Sequence, residues 1–277
     1  MSGVLEDELG DVLEKARDGK NWTQSDMARA SGISLDDIAR MERYEFVPDE
    51  GVLKNLAEVL GLHAPSLIAV AKGTWAPKPI DPDPGPFDTV CLDMFVGSYA
   101  VKCYLVICRV TQTSALIDTG GNPEAIIKKA NELNIKPEKI LLTHAHFDHA
   151  GGLELLDKTY NCPAWIDEKE PRPSGSRNFK FLKDGESIKL GNLNIDVLFT
   201  PGHTAGGVSY KIHDSVFSGD AIFAGSMGRA NSSWFELYDA ITKKLLILPN
   251  HTRLFPGHGP ATTVGEEKSH NPFFANR

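Results

Sequence analysis

The run Thr143-His144-Ala145-His146-Phe147-Asp148-His149, directly after the apolar stretch Ile140-Leu141-Leu142, constrains the fold more than any other feature of the chain. Three imidazoles and a carboxylate within six residues, set at a strand end, form a donor set for a divalent cation. Gly151 and Gly152 follow and allow close backbone turns. Further ligand types stand singly in turn-rich contexts: Pro201-Gly202-His203-Thr204, Ser218-Gly219-Asp220 and Pro256-Gly257-His258-Gly259-Pro260. Glycine and proline fix the backbone around each and expose its side chain, which is how loops present ligands on a rigid scaffold. Any one of these is an ordinary polar residue in a turn; all of them, in this order after the first block, point to one site. The fold therefore has to bring loops distant in sequence together.

The surrounding pattern supplies such a scaffold. Val101 to Arg109, Ser114 to Ile117, Lys139 to Thr143, Asn194 to Thr200, Gly207 to Ile212 and Val216 to Ser218 read as strands. Pro123 to Leu133, Gly152 to Lys158 and Trp234 to Leu248 read as helices. Interleaved strands and helices predict an α/β layered architecture.

The first 72 residues read differently, as helices throughout. Leu5, Leu9, Val12, Leu13 and Ala16 recur at helical spacing. Thr23 with Asp26 caps a short helix that Gly32 stops, and Ser34 with Asp37 opens another that is expected to bury Leu35, Ile38 and Met41. Leu53 to Leu60 and Ala64 to Ala71 complete five helices. Five prolines in GTWAPKPIDPDPGPF, residues 73–87, favour extended backbone and read as a linker. The chain thus divides into an all-α segment 1–72, the linker 73–87 and a layered domain 88–277.

The segment TQSDMARASGISLDDIARMERYE with VLKNLAEVLGL resembles the Cro/C1-type helix-turn-helix family. The resemblance implies an operator-binding helix from Ser34 to Arg43, with Gln24, Ser34, Arg40 and Arg43 facing DNA. Yet residues 1–75 carry 8 Lys+Arg against 14 Asp+Glu, a net of -6, and Asp36 and Asp37 lead that helix. Phosphate contacts need lysine and arginine, so the charge disfavours DNA as partner and favours dimerisation or partner docking, with a homodimer left open.

From about Thr89 onward the set Ile117-Asp118-Thr119-Gly120, THAHFDH, His203, Asp220 and His258 resembles the metallo-β-lactamase superfamily. The resemblance implies an αββα sandwich holding two divalent metals, zinc first and iron or manganese as alternatives. It implies one metal on His144, His146 and His203, a second on Asp148, His149 and His258, Asp220 bridging, and Asp118 orienting a ligand. GSMGR, FPGHGPATT and GEEKSHNPF look like the small glyoxalase II-type hydrolases, which implies hydroxyacyl-thiol substrates. Classical glyoxalase II has a further helical domain, whereas 19 residues follow His258 here, and Ala230-Asn231-Ser232 follow Arg229 where small relatives often have an acidic residue. The thiol is thus left open.

The expected activity is hydrolysis of a thioester or related ester. Two cations sharing a water lower its pKa toward roughly 7, giving a hydroxide nucleophile, and polarise the carbonyl. Asp148 is the expected catalytic residue, orienting the nucleophile and accepting its proton. Arg229, Arg172 and Arg177 are candidate contacts for a substrate carboxylate. Two other functions fit the residues: an iron-dependent persulfide dioxygenase using His144, His203 and Asp220, and a DNA-binding regulator whose larger domain binds an effector.

No apolar run is long enough to span a bilayer and the acidic N-terminus has no export signal, so a cytoplasmic, membrane-free protein is expected. The four cysteines, with no close pairing, read as free buried thiols, with Cys103 and Cys108 on opposite sides of one strand.

Overall fold

The computed structural model describes residues 4–80, 85–97, 99–174 and 178–276. It opens with α1 (Leu9–Asp18), α2 (Gln24–Ser31), α3 (Leu35–Glu42), α4 (Glu50–Leu60) and α5 (Ala64–Ala71). The caps read from sequence are present. The Thr23 hydroxyl accepts from the Asp26 amide at 3.1 Å while the Asp26 carboxylate accepts from the Thr23 amide at 2.9 Å. The Ser34 hydroxyl accepts from the Asp37 amide at 3.1 Å. Each bond satisfies an N–H that the first helical turn leaves unpaired. Gly32, between α2 and α3, takes φ +72°, a left-handed conformation that would strain any residue with a Cβ.

Two expectations for this segment are corrected. Leu35 is 48% exposed, while Ile38 and Met41 are buried. A three-residue spacing falls about 60° short of a full turn at each step, so Leu35 lies roughly 120° round the helix from Met41. Leu5 precedes the first helix, because Glu8 and Asp11 form a capping box that starts α1 at Leu9. It still reaches the core, from an extended lead-in.

Two six-stranded sheets follow. The first has β1 (Phe87–Val96), β2 (Tyr99–Cys108), β3 (Ser114–Ile117), β4 (Pro137–Leu141), β5 (Ala164–Ile166) and β6 (Phe179–Phe181) in that order, antiparallel through β3 and parallel beyond. The second runs β14-β13-β10-β9-β8-β7, from β7 (Ser187–Leu190), β8 (Leu193–Phe199), β9 (Val208–Ile212), β10 (Ser215–Gly219), β13 (Arg253–Pro256) and β14 (Thr262–Thr263). A small hairpin, β11 (Ile222–Phe223) and β12 (Ser226–Met227), leaves the end of β10.

The period-two alternation of strand side chains sorts the core into layers. Tyr104, Val106 and Cys108 of β2 pack with Ile195, Val197 and Tyr210 between the sheets. Cys103 and Leu105 point the other way, onto α6 (Pro123–Glu132) and α8 (Leu153–Tyr160), which flank the short α7 (Phe147–Ala150). The outer face of the second sheet carries α9 (Trp234–Ala240), a π-helical turn (Ile241–Leu245) and α10 (Val264–His270). This is the expected αββα sandwich. Cys103 and Cys108 lie on opposite faces as read, but Cys91 is exposed, because it sits on the edge strand β1.

The helical segment joins this sandwich instead of standing apart. One apolar cluster runs from Leu13, Met27 and Leu56 through Val216, Met227, Leu237 and Phe273. Lys15 is buried, its ammonium donating to the Met227 carbonyl at 2.8 Å and to the Asp7 carboxylate. The His63 amide donates to the Pro272 carbonyl at 2.8 Å. Trp234 lies so close to Gly19 that a Cβ there would meet the indole at 2.4 Å. The described part of the proline-rich run is also anchored: Trp75 stacks on His270 with centroids 5.1 Å apart, and the Lys78 amide donates to Glu266. Pro82 and Pro84 lie outside the described residues.

Candidate metal centre

The site forms where the loops after β4, β8, β10 and β13 meet. The block after β4 places His144 and His146 on a turn and Asp148 and His149 in α7. His203 follows β8, Asp220 follows β10 and His258 follows β13. Donor atoms of His144, His146 and His203 lie within 4.8 Å of one another, as do those of His144, His149 and Asp220, and those of Asp148, His149 and His258. All seven residues singled out in the sequence are thus brought together. Small residues make this convergence feasible: a Cβ at Gly257 would lie 2.5 Å from both Asp220 Oδ1 and His149 Cε1.

The ring nitrogens face each other closely enough for cations to lie between them. His144 Nε2 lies 3.0 Å from His146 Nδ1, His203 Nε2 lies 3.0 Å from the same atom, and His149 Nε2 lies 3.4 Å from His258 Nε2. The opposite nitrogens are already committed to neighbours. His203 Nδ1 donates to the Arg229 carbonyl at 2.7 Å, His258 Nδ1 to the Ala100 carbonyl at 2.5 Å and His149 Nδ1 to Asp118 Oδ2 at 2.8 Å. Each of these rings thereby turns an Nε2 lone pair inward, the arrangement by which outer partners fix the tautomer of a ligand.

Asp220 links the two halves. Its Oδ2 is 3.4 Å from both His203 Nε2 and His258 Nε2, and its Oδ1 is 3.3 Å from His149 Nε2. Oδ1 is buried and has no hydrogen-bond partner. An orphaned carboxylate oxygen among inward-facing lone pairs is costly unless a cation meets it, so these residues fit a pair of divalent ions. The electrostatics agree. Burial pulls the His149 ring down, but the carboxylates of Asp220 and Asp118 outweigh it and hold the ring up to about 10. Burial likewise opposes a charge on His258, yet Asp220 and Asp148 push it to about 11. Burial drives His144, deeper among other imidazoles, well below the usual histidine range. The carboxylates at the centre demand positive charge.

The Asp118 backbone has φ +57°, and its carboxylate accepts from the Thr143 amide and hydroxyl, each at 2.8 Å, as well as from His149. It orients both the start of the ligand block and one ring. Sequence reading missed Glu170, which is buried and accepts from the Ala145 amide at 2.8 Å and the Gly206 amide at 2.9 Å. That residue ties the first ligand loop to the loop after His203. Its only signal was one acidic residue of three in Asp167-Glu168-Lys169-Glu170-Pro171, indistinguishable from surface charge.

Other candidate residues lie elsewhere. Arg229 pairs with Glu14 at 2.7 Å and approaches Asp18 at 4.0 Å, so the helical segment takes up its charge. Arg172 covers the Phe181 ring at 5.2 Å. Arg177 lies outside the described residues. On the helical segment, Gln24 donates to Glu42 at 2.7 Å, Ser34 caps α3, and Arg40 and Arg43 both pair with Glu45, at 3.5 and 2.7 Å.

The model of the metallo-beta-lactamase superfamily matches residues 96–258. The chain belongs to that superfamily. A helix-turn-helix model matches residues 13–67. A probable metallo-hydrolase of Streptococcus pyogenes serotype M6 is 36% identical over 191 residues, covering 59% of this chain and 82% of that protein. The hydroxyacylglutathione hydrolase GloC of Haemophilus influenzae is 32% identical over 189 residues, covering 60% and 89%. Among solved structures, TTHA1623 in a di-iron-bound form superposes with TM-score 0.59 at 31% identity, covering 66% of this chain and all of that one. The chain is accordingly a metallo-hydrolase of this superfamily carrying a helix-turn-helix segment. None of its described helices is long and apolar enough to cross a membrane.

Proposed function

We propose that the protein hydrolyses thioesters, or closely related esters, at a two-metal site held by His144, His146 and His203 on one side and Asp148, His149 and His258 on the other, with Asp220 between. The observation that carries this reading is the reach of Asp220 Oδ2 to both His203 and His258 while its buried Oδ1 faces His149 Nε2 at 3.3 Å without a hydrogen bond. The Haemophilus relative, named for hydrolysis of hydroxyacylglutathione, supports the thioester class. Bound divalent ions supply Lewis acidity, making a water acidic and a carbonyl electrophilic.

The chain's own residues do the rest. Asp148 remains partly open to solvent, with Oδ2 3.3 Å from His258 Nε2. Burial would raise its carboxyl, but the bond from His258 and the charges of His149 and His258 together outweigh that and hold it below the usual carboxylate range. It is placed to orient an attacking water and accept its proton at Oδ2. Phe147, 70% exposed beside it, offers an apolar contact to an acyl chain. A thiolate leaves as a weak base, so the entering water needs more help than the departing sulfur.

Elemental analysis of the purified protein, coupled to a panel of thioesters, esters, lactones and persulfides, tests this. About two metal ions per chain and steady thiol release from acyl-thiols are expected. A metal-replete preparation inert on thioesters and lactones would overturn it, and chelator-sensitive oxygen uptake with a persulfide would establish dioxygenase chemistry instead.

A further inference from the structure

The extended lead-in to α1 crosses the rim of the metal centre. Gly259, the residue after His258, adopts φ +70° and packs directly on Glu6: a Cβ built there would lie 3.0 Å from Glu6 Cβ and 3.1 Å from its amide nitrogen. The lead-in is fixed in this position. Asp7 beside it is buried on Lys15, whose ammonium reaches the Met227 carbonyl. Glu14, the residue before Lys15 in α1, holds Arg229, the residue whose carbonyl accepts from His203.

The Glu6 side chain is nevertheless exposed, and among the described residues no hydrogen bond or ion pair engages its carboxylate. Partial burial among neighbouring groups raises its carboxyl, with His258 pulling it down and the carboxylates of Asp7 and Asp220 pushing it up. Two features of the rim thus have one electrostatic sense. The guanidinium of Arg229 is neutralised by Glu14, and an unpaired carboxylate stands on the residue packed against Gly259, next to a candidate ligand.

We propose that the helix-turn-helix segment is a fixed wall of the catalytic entrance, and that Glu6 makes this entrance discriminate against acyl-thiols bearing a carboxylate beyond the thioester, in favour of neutral or cationic ones. The substrate class rests on the thioester reading above; the charge discrimination itself concerns any ligand entering the site. Exposed charges a few ångströms apart interact weakly through high dielectric, so the expected discrimination is about threefold to tenfold and fades with salt.

The test uses the metal-replete full chain and three thiols of similar size: 3-mercaptopropionate, N-acetylcysteamine and thiocholine. Calorimetry measures their binding, and turnover is followed on the acetyl thioester of each. Wild type is expected to bind the carboxylate form about threefold to tenfold more weakly than the amide form, the gap closing in about 0.5 M salt, where the Debye length is about 4 Å. Glu6→Gln should remove most of the gap with an unchanged melting temperature, and Glu6→Asp should restore it. Glu14→Gln, by releasing Arg229, should favour the carboxylate form. Equal binding of the three thiols by wild type, or a gap unchanged in a folded Glu6→Gln protein, would overturn the proposal. Turnover without a binding gap would leave the thioester reading standing and sink the wall; a binding gap without turnover would do the reverse.

Discussion

The buried pair Asp7–Lys15 should decide whether the helical segment and the sandwich fold as one unit. Both residues are less than a tenth exposed, and the ammonium also serves the Met227 carbonyl of β12. In Lys15→Met, Asp7 would remain in the interior without its counter-charge, and breaking one partner of a buried pair typically costs 3–5 kcal/mol. Against a usual domain stability of about 5–15 kcal/mol, that is a large fraction. The loss should depend on pH. Burial already raises the Asp7 carboxyl above its ordinary 3.8, with Lys15 pulling against it; without Lys15 it should rise further. A carboxyl whose folded-state pKa is raised loses stability as pH climbs from its unfolded value through its folded one. The Lys15→Met deficit should therefore be smallest near the ordinary carboxyl value of 3.8 and grow as pH rises above it. Asp7→Asn combined with Lys15→Met removes both charges and should recover most of the loss, with the pH dependence gone. Urea unfolding followed by circular dichroism at several pH values measures all three variants, and one cooperative transition is expected. A single-mutant cost under about 1 kcal/mol, a pH-independent deficit, or two separate transitions in wild type would refute the reasoning.

Two further outcomes follow from buried carboxylates elsewhere. Asp118→Asn removes the anionic acceptor of His149 Nδ1 and should weaken metal binding by about 10- to 100-fold, read by competition with a chromophoric chelator; unchanged affinity would contradict its orienting role. Glu267 is fully buried, and burial outweighs its bonds from Thr262, Asn271 and Gly225 to raise its carboxyl to about 7. Its shift from 4.5 should cost wild type about 3 kcal/mol between pH 4.5 and 7, a loss that Glu267→Gln abolishes; the same decline in the variant would rule Glu267 out as its source.

How much of this was legible in the sequence depends on whether a residue's role is local. The ligand block announces itself because three histidines and an aspartate so close together have few other uses, and the turn glycines beside His203, Asp220 and His258 mark loop positions whatever the tertiary fold. The caps at Thr23 and Ser34 are equally local, since donor and acceptor stand three residues apart. Strands of two or three residues such as β5, β11 and β14 are too short to show a period and went unseen. Glu170 and Glu6 failed for a different reason: each acts on a loop distant in sequence, and an acidic residue in a polar stretch looks the same whether it faces water or a buried amide. The same limit hid the docking of the helices. A net charge of -6 argued correctly that lysines and arginines for phosphate are scarce there, but it did not disclose where the acids go. In the structure, Glu14 neutralises Arg229, Glu45 neutralises Arg40 and Arg43, and Glu42 engages Arg17 and Gln24. Arginines committed to neighbouring carboxylates are poor phosphate ligands, because each would have to exchange an existing partner for a new one. One of the acids that make the segment unfavourable for DNA, Glu14, thus also ties the helices to the sandwich through Arg229, and another, Glu6, is left exposed at the metal-centre rim.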